Sequence, residues 1–357
     1  MWKKVLRILL QTVGAAAALL GVLLAALTVA EYMPGRVEEI AQEAGRGGRI
    51  IREGDRIELL TFDIGYAGLD QYMDFFMDGG RSNTPPSKAR ILENLEGIAA
   101  VINSQSYDVL LLQEVDRSSR RSYGVDQEEW LHGRLSGNSV FAQDFRCLFI
   151  PYPVPDVIGA VNSGLQTITG LNIRAAQRIA LPNGREWPGR IFAPKSCMLL
   201  TRTALEDSGR ELVIINLHMD SYGTDADRAA QLEALAEVMQ YEYEMGNYVI
   251  AGGNFNQAFP DDDFSAYPLR QSGRFEPGRM DASLLRKNWQ FVSDRSAPTS
   301  RLRNAPYSQA RWWAQYYVLD GYILSPNVLL EQVKTVNAEF RHSDHNPVKI
   351  VVQLLEY

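Results

Sequence analysis

Two segments of the sequence share one pattern, in which an apolar strand leads to an amphipathic helix and then to a second apolar strand. The first segment spans residues 57–114 and the second spans residues 212–252. Apolar residues at helical spacing mark the two helices, and Ser87 and Thr224 are their expected N-caps. Such units bury apolar strands beneath covering helices, so the chain is predicted to be an α/β protein.

Polar residues follow the predicted strands at the points where the strands end. They are Asp63, Glu114, His218, Asn254, Asn256, Asp320, Asp344 and His345. Taken singly, each has an ordinary structural explanation, such as a solvated carboxylate for Glu114, a structural histidine for His218 or a turn-capping aspartate for Asp320. Because α/β folds usually place their sites at strand ends, the set as a whole predicts one polar site.

The order of these residues along the chain is more specific than any one of them. Six motifs follow one another: Thr61-Phe62-Asp63-Ile64, Leu112-Gln113-Glu114-Val115, Asn216-Leu217-His218, Gly252-Gly253-Asn254-Phe255-Asn256, Leu319-Asp320-Gly321-Tyr322-Ile323 and Ser343-Asp344-His345-Asn346-Pro347. This order resembles the endonuclease/exonuclease/phosphatase superfamily, which includes DNase-like nucleases, inositol polyphosphate phosphatases and neutral sphingomyelinases. The resemblance covers about residues 55–357, and the chain looks like a membrane-anchored bacterial-type member.

The resemblance implies a four-layer α/β sandwich, in which two packed sheets are flanked by helices, and metal-dependent hydrolysis of a phosphoester. The glutamate of the Gln-Glu motif holds Mg²⁺ in that superfamily, so Glu114 is the expected metal ligand, with Asp63 and Asp344 beside it. Hard oxygen donors suit Mg²⁺, and Mn²⁺ is the expected substitute.

The resemblance also implies a role for each remaining residue of the set. His345 acts on the attacking water or on the phosphate, and Asp320 orients its imidazole. His218 and Asn256 hydrogen-bond the scissile phosphate. A carboxylate beside a histidine both fixes the tautomer and favours the charged ring, so the pairing of Asp320 with His345 is chemically sensible.

Two positions depart from the pattern of the superfamily in opposite directions. The first motif carries Asp63 where an asparagine is usual, and the fourth carries Asn254 where a catalytic aspartate is usual. Two explanations are open at this point. Asp63 adds a negative ligand that tightens metal binding, or Asn254 removes a proton-handling aspartate and slows the reaction, since an amide accepts no proton at neutral pH.

The amino terminus carries a different signal. Residues 8–30 form an uncharged run of 23 residues, which as a helix would extend about 34 Å, enough to cross the hydrocarbon core. A cleaved signal peptide is the alternative, with Thr28-Val29-Ala30 as a small-residue cleavage site, but signal cores are usually shorter. We therefore expect an uncleaved single-pass anchor in the cell membrane. Lys3, Lys4 and Arg7 place the amino terminus in the cytoplasm and the body outside it.

The chain accordingly divides into three parts. Residues 1–32 are the expected anchor, 33–54 a juxtamembrane tether with a helical turn expected within Val37–Ala44, and 55–357 the endonuclease/exonuclease/phosphatase-like domain. Cys147 and Cys197 are the only cysteines, and they either pair with each other or remain buried thiols.

Charge narrows the partners that the body can bind. The chain has 36 basic and 43 acidic residues, a net charge of −7, and residues 33–357 alone carry −9. So acidic a body is not expected to bind a long nucleic acid. Three arginines at 117, 120 and 121 form either a site for a second phosphate or a solvated loop. The apolar stretch 71–80 is expected to line a substrate pocket or to contact lipid.

These observations predict a membrane-anchored, extracytoplasmic, Mg²⁺-dependent phosphodiesterase or phosphatase. Its expected partners are a phosphoester substrate, with a lipid headgroup favoured by proximity, and the membrane through the amino-terminal helix. Two alternatives stay open. The chain is a catalytically weakened member that binds a phospholipid or a phosphorylated ligand, or it is an extracellular nuclease.

Overall fold

The computed structural model describes residues 2–41, 47–206 and 208–356 of the chain. Its α-helices are α1 (Trp2–Val29), α2 (Lys88–Asn103), α3 (Gln127–His132) and α4 (Asp225–Glu244). The expected N-caps are confirmed: the side chain of Ser87 accepts a hydrogen bond at the start of α2, and that of Thr224 does so at the start of α4. These caps satisfy backbone N–H groups that a helix leaves free in its first turn.

The described strands range in length from 2 to 13 residues. They are β1 (Val37–Glu39), β2 (Arg56–Asp63), β3 (Val109–Asp116), β4 (Asn138–Ile150), β5 (Gly159–Thr169), β6 (Ala175–Ala180), β7 (Cys197–Ala204), β8 (Glu211–His218), β9 (Tyr248–Asn254), β10 (Gln290–Val292), β11 (Ser300–Arg301), β12 (Tyr316–Tyr317), β13 (Asp320–Leu324), β14 (Val328–Thr335) and β15 (Val348–Leu354).

Two mixed sheets hold most of these strands. One has the order β1-β6-β7-β8-β9-β13-β10 and the other the order β14-β15-β2-β3-β5-β4, while β11 and β12 form a separate pair. Within each large sheet, one parallel pair comes from a predicted strand–helix–strand unit: β2 with β3, and β8 with β9. The remaining neighbours in the two large sheets run antiparallel.

The sheets pack face to face, and helices cover their outer faces. Alternate residues of β3 show how this is achieved, because Leu111 lies in the core between the sheets while Leu110 and Leu112 pack beneath α2. The other sheet repeats the arrangement, with Ile214 of β8 facing inward and Ile215 packed against α4. Burial on both faces explains why these strands are continuously apolar. The predicted four-layer α/β sandwich is therefore confirmed.

The sheet register brings the predicted site residues to one end of the sandwich. In the parallel pairs β2–β3 and β8–β9 the carboxyl ends lie side by side, so that His218 is opposite Asn254. Strand β13 runs antiparallel to β9 and begins at the same end, which places Asp320 opposite Asn254 on its other side. We call this end of the molecule the site end.

Helix α1 is long and apolar enough to cross a membrane, by its length and composition. A signal sequence would share both properties, so the helix by itself is weak support for an anchor. Only Leu27 of the helix is buried against the rest of the protein.

The segment after α1 is bound to the body more closely than a free tether would be. Val37–Glu39 is a strand that pairs with β6, not the expected helical turn, and residues 42–44 of that expectation lie outside the described residues. The edge of β6 offers unpaired backbone groups, which an extended β-branched segment can satisfy. The three-part domain division stays a prediction.

Arg178 of β6 connects the segment after α1 to the body through hydrogen bonds. Its guanidinium is 1% exposed and donates hydrogen bonds to the backbone oxygens of Gln143, Gly35 and Lys195, at 2.9, 3.3 and 2.6 Å. One buried cation therefore joins the juxtamembrane chain, β4 and the segment before β7.

Replacing this cation should loosen the junction. We expect Arg178→Met to lower the free energy of unfolding by about 2 kcal/mol or more, because it leaves backbone carbonyls without donors. Arg174→Met is the matched control, since Arg174 is largely exposed and pairs only with Glu211 at 2.8 Å; we expect it to change the free energy by less than about 1 kcal/mol. Denaturant titration of both variants measures the difference, and equal effects would contradict this role of Arg178.

Candidate active site

The site end of the sandwich holds a cavity of about 240 Å³. Six of the eight predicted residues line it, namely Asp63, Glu114, His218, Asn254, Asn256 and His345. Asp320 and Asp344 lie behind this lining, where Asp320 bonds His345 and Asp344 bonds Arg303. The structure therefore brings all eight residues together, as the motif order predicted.

Asp63, Glu114 and His218 form the only group of metal-ligating side chains detected among the described residues. One potential ligand atom from each lies within 4.8 Å of the other two. Glu114 has a φ of +54° and sits where the pairing of β3 with β5 is irregular, between Leu112 and Val115. An irregularity of this kind redirects a side chain out of the normal alternation of a strand, here into the cavity.

Burial raises the free-energy cost of keeping the carboxylates of this group charged. Burial raises the pKa of Glu114 to about 7, and the charge of Asp63 adds to the effect. Burial also acts to raise the pKa of Asp63, but His345, His218 and hydrogen bonds to the carboxylate outweigh it, and the pKa is lowered. Two neighbouring buried carboxylates of this kind are stabilised when a cation lies between them.

The residues fit a divalent cation. The buried Oε2 atom of Glu114 has no hydrogen-bond partner, although buried carboxylate oxygens almost always have one. Two carboxylates and one imidazole, each with a donor atom within 4.8 Å of the others, form a mixed oxygen and nitrogen ligand set for a divalent cation. Asp344 lies outside this group, since its Oδ2 accepts a hydrogen bond from Nη1 of Arg303 at 3.0 Å. Its role as a ligand stays a prediction.

His345 is held from behind by Asp320. Its Nδ1 lies 2.8 Å from Oδ2 of Asp320, and its Nε2 lies 3.2 Å from Oγ of Ser300 and 4.0 Å from Oδ2 of Asp63. Burial acts to lower the pKa of His345, but Asp320, Asp63 and Asp344 raise it to about 10. The raised pKa favours the charged imidazole, in which Nδ1–H bonds Asp320 and Nε2–H faces Ser300 in the lining of the cavity. This arrangement can donate a hydrogen bond to an anion.

The two residues that depart from the superfamily pattern are hydrogen-bonded to each other. Nδ2 of Asn254 donates to Oδ2 of Asp63 at 3.0 Å, while Oδ1 of Asp63 accepts from the backbone of Gly65. Oδ1 of Asn254 accepts from the backbone N–H of Asn256 at 2.9 Å. An aspartate at position 254 would place two carboxylates in contact, so the two departures form one complementary exchange.

His218 and Asn256 approach each other through Ser221. Nδ2 of Asn256 donates to the backbone oxygen of Met219 at 2.8 Å and to Oγ of Ser221 at 3.1 Å, and Nε2 of His218 lies 3.4 Å from the same hydroxyl. Both donors of the Asn256 amide therefore have partners within the chain. The predicted contact of these two residues with a phosphate stays a prediction.

Sequence reasoning missed Arg303 and Tyr222, which also line the cavity. Arg303 bonds Asp78 at 2.7 Å and Asp344 at 3.0 Å, and its Nη2 donates to the hydroxyl of Tyr222 at 3.0 Å. Burial acts to lower the pKa of Arg303, but the two carboxylates and Tyr222 raise it well above its usual value. Neither residue belongs to a motif, and a loop arginine gives no periodic signal.

A second cavity of about 250 Å³ adjoins the first and shares Glu114, His218, Tyr222 and Arg303 with it. Its lining is largely apolar, although Arg121, Asp144, Arg185 and Asp220 also belong to it, and the apolar members include one, Met77, that lines both cavities. The apolar members include Phe75, Phe76, Met77, Phe145, Ile150, Tyr152, Ile158 and Phe192. The prediction that the stretch 71–80 lines a pocket is confirmed by its three members in this set.

The arginine cluster after Glu114 is neutralised within the chain. Arg121 bonds Asp116 at 2.8 Å and lies over the ring of Tyr66, while Arg117 pairs with Glu128 and Arg120 with Asp156. This pairing favours a structural role over a site for a second phosphate. Cys147 and Cys197 are both buried and free.

No family model and no curated protein sequence matches the chain, but solved structures do. An endonuclease/exonuclease/phosphatase from Beutenbergia cavernae DSM 12333 aligns at a TM-score of 0.57 and 15% identity, over 84% of this chain and 72% of that one. An endonuclease/exonuclease/phosphatase family protein from Bacteroides thetaiotaomicron gives 0.51 and 13%, over 85% and 100%. A functionally unknown conserved protein from Enterococcus faecalis V583 gives 0.53 and 15%, over 83% and 99%.

At these identities the likeness is one of fold. The chain has the fold of the endonuclease/exonuclease/phosphatase superfamily, which confirms the structural expectation drawn from its six motifs. The assignment of chemistry to the site then depends on the residues described above.

Removal of one carboxylate should weaken metal binding. We expect Glu114→Gln to reduce the affinity of the full chain for Mn²⁺ by about tenfold or more, because a charged ligand is lost. Asp144→Asn is the control, since Asp144 is a buried acid of the adjoining cavity outside the ligand group. Calorimetry measures both, and unchanged binding in Glu114→Gln would contradict the assignment.

The complementary exchange at positions 63 and 254 can be tested by restoring the residues that are usual in the superfamily. We expect Asn254→Asp to destabilise the metal-free protein through like-charge repulsion and Asp63→Asn to remove the charge that the histidines face. The double variant restores a carboxylate–amide contact, so it should be more stable than the sum of the single effects by about 1–3 kcal/mol. Denaturant titrations in the presence of a chelator measure this coupling, and simple additivity would contradict it.

Proposed function

We propose that the chain is a metal-dependent phosphoester hydrolase whose body lies outside the cytoplasmic membrane. The observation that carries the proposal is the unpartnered Oε2 of Glu114, which lies beside Asp63 and His218 in a cavity shared with the His345–Asp320 pair. A buried carboxylate oxygen without a hydrogen-bond partner and a buried histidine with a raised pKa are costly arrangements in a protein that does no chemistry.

Glu114, Asp63 and His218 are the residues that would hold the cation. When bound, a divalent cation supplies positive charge that stabilises the negative charge developing on phosphoryl oxygens. The superfamily fold supports phosphoester hydrolysis as the class of reaction. The proposal that a cation takes part depends on the three ligands of this site.

The other residues then have distinct tasks. The Nε2–H of His345 donates to a phosphoryl oxygen, and Asp320 keeps the ring in that orientation. In hydrolysis the water oxygen bonds to phosphorus, the bond from phosphorus to the leaving oxygen breaks, and a proton passes from the water to the leaving oxygen.

The amino terminus supports the proposed location of the body outside the cytoplasmic membrane. Helix α1 begins within a basic head, Lys3, Lys4 and Arg7, and such residues favour the cytoplasmic side of a membrane. The body that follows then lies on the opposite side. The net charge of −9 for residues 33–357 disfavours a long nucleic acid as the substrate.

A chromogenic diester provides the direct test. We expect the full chain in nanodiscs to hydrolyse bis-p-nitrophenyl phosphate with Mg²⁺ or Mn²⁺ and to stop when a chelator is added. His345→Gln should lower the rate by roughly 10²–10⁴-fold, because it removes a charged donor at the phosphate. His342→Gln is the matched control in the same loop, since His342 contacts Asn94 and lies outside the cavity.

Two results would count against hydrolysis. Absence of chelator-sensitive turnover on any phosphoester, with Mn²⁺ binding intact, would identify a catalytically weakened protein that binds its ligand only. Equal loss of activity in His345→Gln and His342→Gln would show damage to the loop and leave His345 without a specific role.

A further inference from the structure

The juxtamembrane chain meets the body at the site end of the sandwich. The register fixes this, because β7 begins beside the carboxyl end of β8, β6 ends beside the start of β7, and Val37 of β1 pairs with Ile179 near the end of β6. Strands β1 and β8 are three neighbours apart in one sheet. At about 4.8 Å per neighbour, the chain that leaves α1 enters the sheet roughly 14 Å from the strand of His218.

Several contacts hold the end of α1 in this place. Glu31 bonds Lys195 at 2.8 Å and Arg190 at 3.3 Å, and its side chain is 2% exposed. The indole N–H of Trp187 donates to the hydroxyl of Thr28, the last turn of α1, at 3.1 Å. Together with the bonds of Arg178, these contacts leave little freedom for the body to turn away from the helix.

Exposed apolar side chains lie at this junction and at the tip of the hairpin whose strand β4 the junction contacts through Gln143. Strands β4 and β5 form a hairpin whose tip extends past the end of β3, because Gly164 pairs with Val115 and the hairpin continues to Gly159. We call the exposed apolar residues of the hairpin tip and of the junction the rim. The rim consists of Met33, Leu148, Phe149, Tyr152, Val154 and Trp187. Apolar side chains flanking the exit of a membrane helix suit the interface of a bilayer.

The apolar second cavity lies between the rim and the metal-ligating group. Phe192 and Pro194, which line it, belong to the same segment as Arg190 and Lys195, the partners of Glu31. Tyr152 belongs both to the cavity and to the rim. On its inner side the cavity reaches Glu114 and His218. A cavity with a largely apolar lining therefore extends from the rim to the site proposed for phosphate chemistry.

We propose that the site faces the bilayer crossed by α1 and takes a membrane lipid phosphoester. The phosphate lies at the group formed by Asp63, Glu114 and His218, and the apolar part of the lipid nearest the phosphate occupies the second cavity. This inference rests on the proposed hydrolase function, and it adds the substrate class and the orientation. A water-soluble ester would make no use of the rim or of the apolar cavity.

The orientation can be measured without any activity. The full chain, carrying an environment-sensitive fluorophore on Val154→Cys, is placed in phosphatidylcholine nanodiscs that contain a lipid with a nitroxide quencher on its acyl chain. The native thiols, Cys147 and Cys197, are buried. Leu329→Cys is the matched control, because Leu329 is an exposed apolar residue at the opposite end of the sandwich. Quenching at 154 and not at 329 is expected, and equal quenching at both positions overturns the orientation.

Activity tests the substrate class. Nanodiscs of phosphatidylcholine and phosphatidylglycerol are compared with the soluble glycerophosphocholine and glycerophosphoglycerol, with bis-p-nitrophenyl phosphate and with single-stranded DNA. We expect turnover of lipid to exceed that of its soluble headgroup analogue. The variant pair Leu148→Ser and Val154→Ser should lower the ratio of lipid to chromogenic ester turnover by about tenfold, because rim contacts with the bilayer are lost. Tyr241→Ser, at the far end of α4, should leave the ratio unchanged.

The outcomes separate the two claims. Turnover of the chromogenic ester with no preference for lipid, or a ratio that the rim variants do not change, overturns the substrate class and leaves the hydrolase standing. Preferred cleavage of DNA overturns it in favour of a nuclease. Absence of turnover on every ester removes the hydrolase and the substrate class together, while the quenching result still decides the orientation.

Discussion

The placement of two carboxylates, Asp63 and Glu114, in one buried space is the constraint on which the site end of this molecule depends. Like charges in a poorly hydrated cavity repel, and each loses hydration that water would supply. The chain offsets this with His218 and His345 around Asp63 and with the amide of Asn254 on its Oδ2. His218 and Arg121 favour the charged form of Glu114, but they do not outweigh its burial and the charge of Asp63. Its Oε2 accepts no hydrogen bond, and a cation bound there would complete the balance.

The sandwich brings these groups together with few residues beyond those that form its strands. In each parallel pair of strands, the polar site residue follows the apolar residues of the same strand almost directly. The residues that build the core and the residues that form the site are therefore neighbours in the sequence. Val109 to Leu112 are fully buried, and two positions further on Glu114 leaves the strand geometry altogether. The rigidity that positions Glu114 is thus the packing of β3 between the second sheet and α2.

Much of this could be predicted from the sequence, because it is encoded locally. The strand–helix–strand pattern and the two N-caps depend on residues within a few positions of one another. The motif order predicted that eight polar residues would meet at one end of the fold, since each lies at, or within four residues of, the end or start of a strand. Arg303 and Tyr222 were not predictable in this way, because only the packing of distant loops brings them to Asp78 and Asp344.

The departures at positions 63 and 254 were visible in the sequence, but their meaning was not. As separate substitutions they suggested either tighter metal binding or lost proton handling. The hydrogen bond between Asp63 and Asn254 shows that the two positions form one carboxylate–amide pair. The carboxylate is at position 63 here, whereas the superfamily pattern has it at position 254. A similar limit applied to the segment after α1, because the free edge of β6 that receives Val37–Glu39 is a product of the folded sheet.

The short strand β1 has a mechanical consequence. It belongs to the same hydrogen-bonded sheet as β8, so the chain that follows α1 and the strand that ends at His218 are parts of one body. With α1 in a bilayer, as proposed above, the site would stay at a fixed height and tilt and would diffuse laterally in two dimensions. The rate of encounter would then depend on the surface density of a ligand in the adjacent leaflet, so that even a weakly bound ligand would be met often.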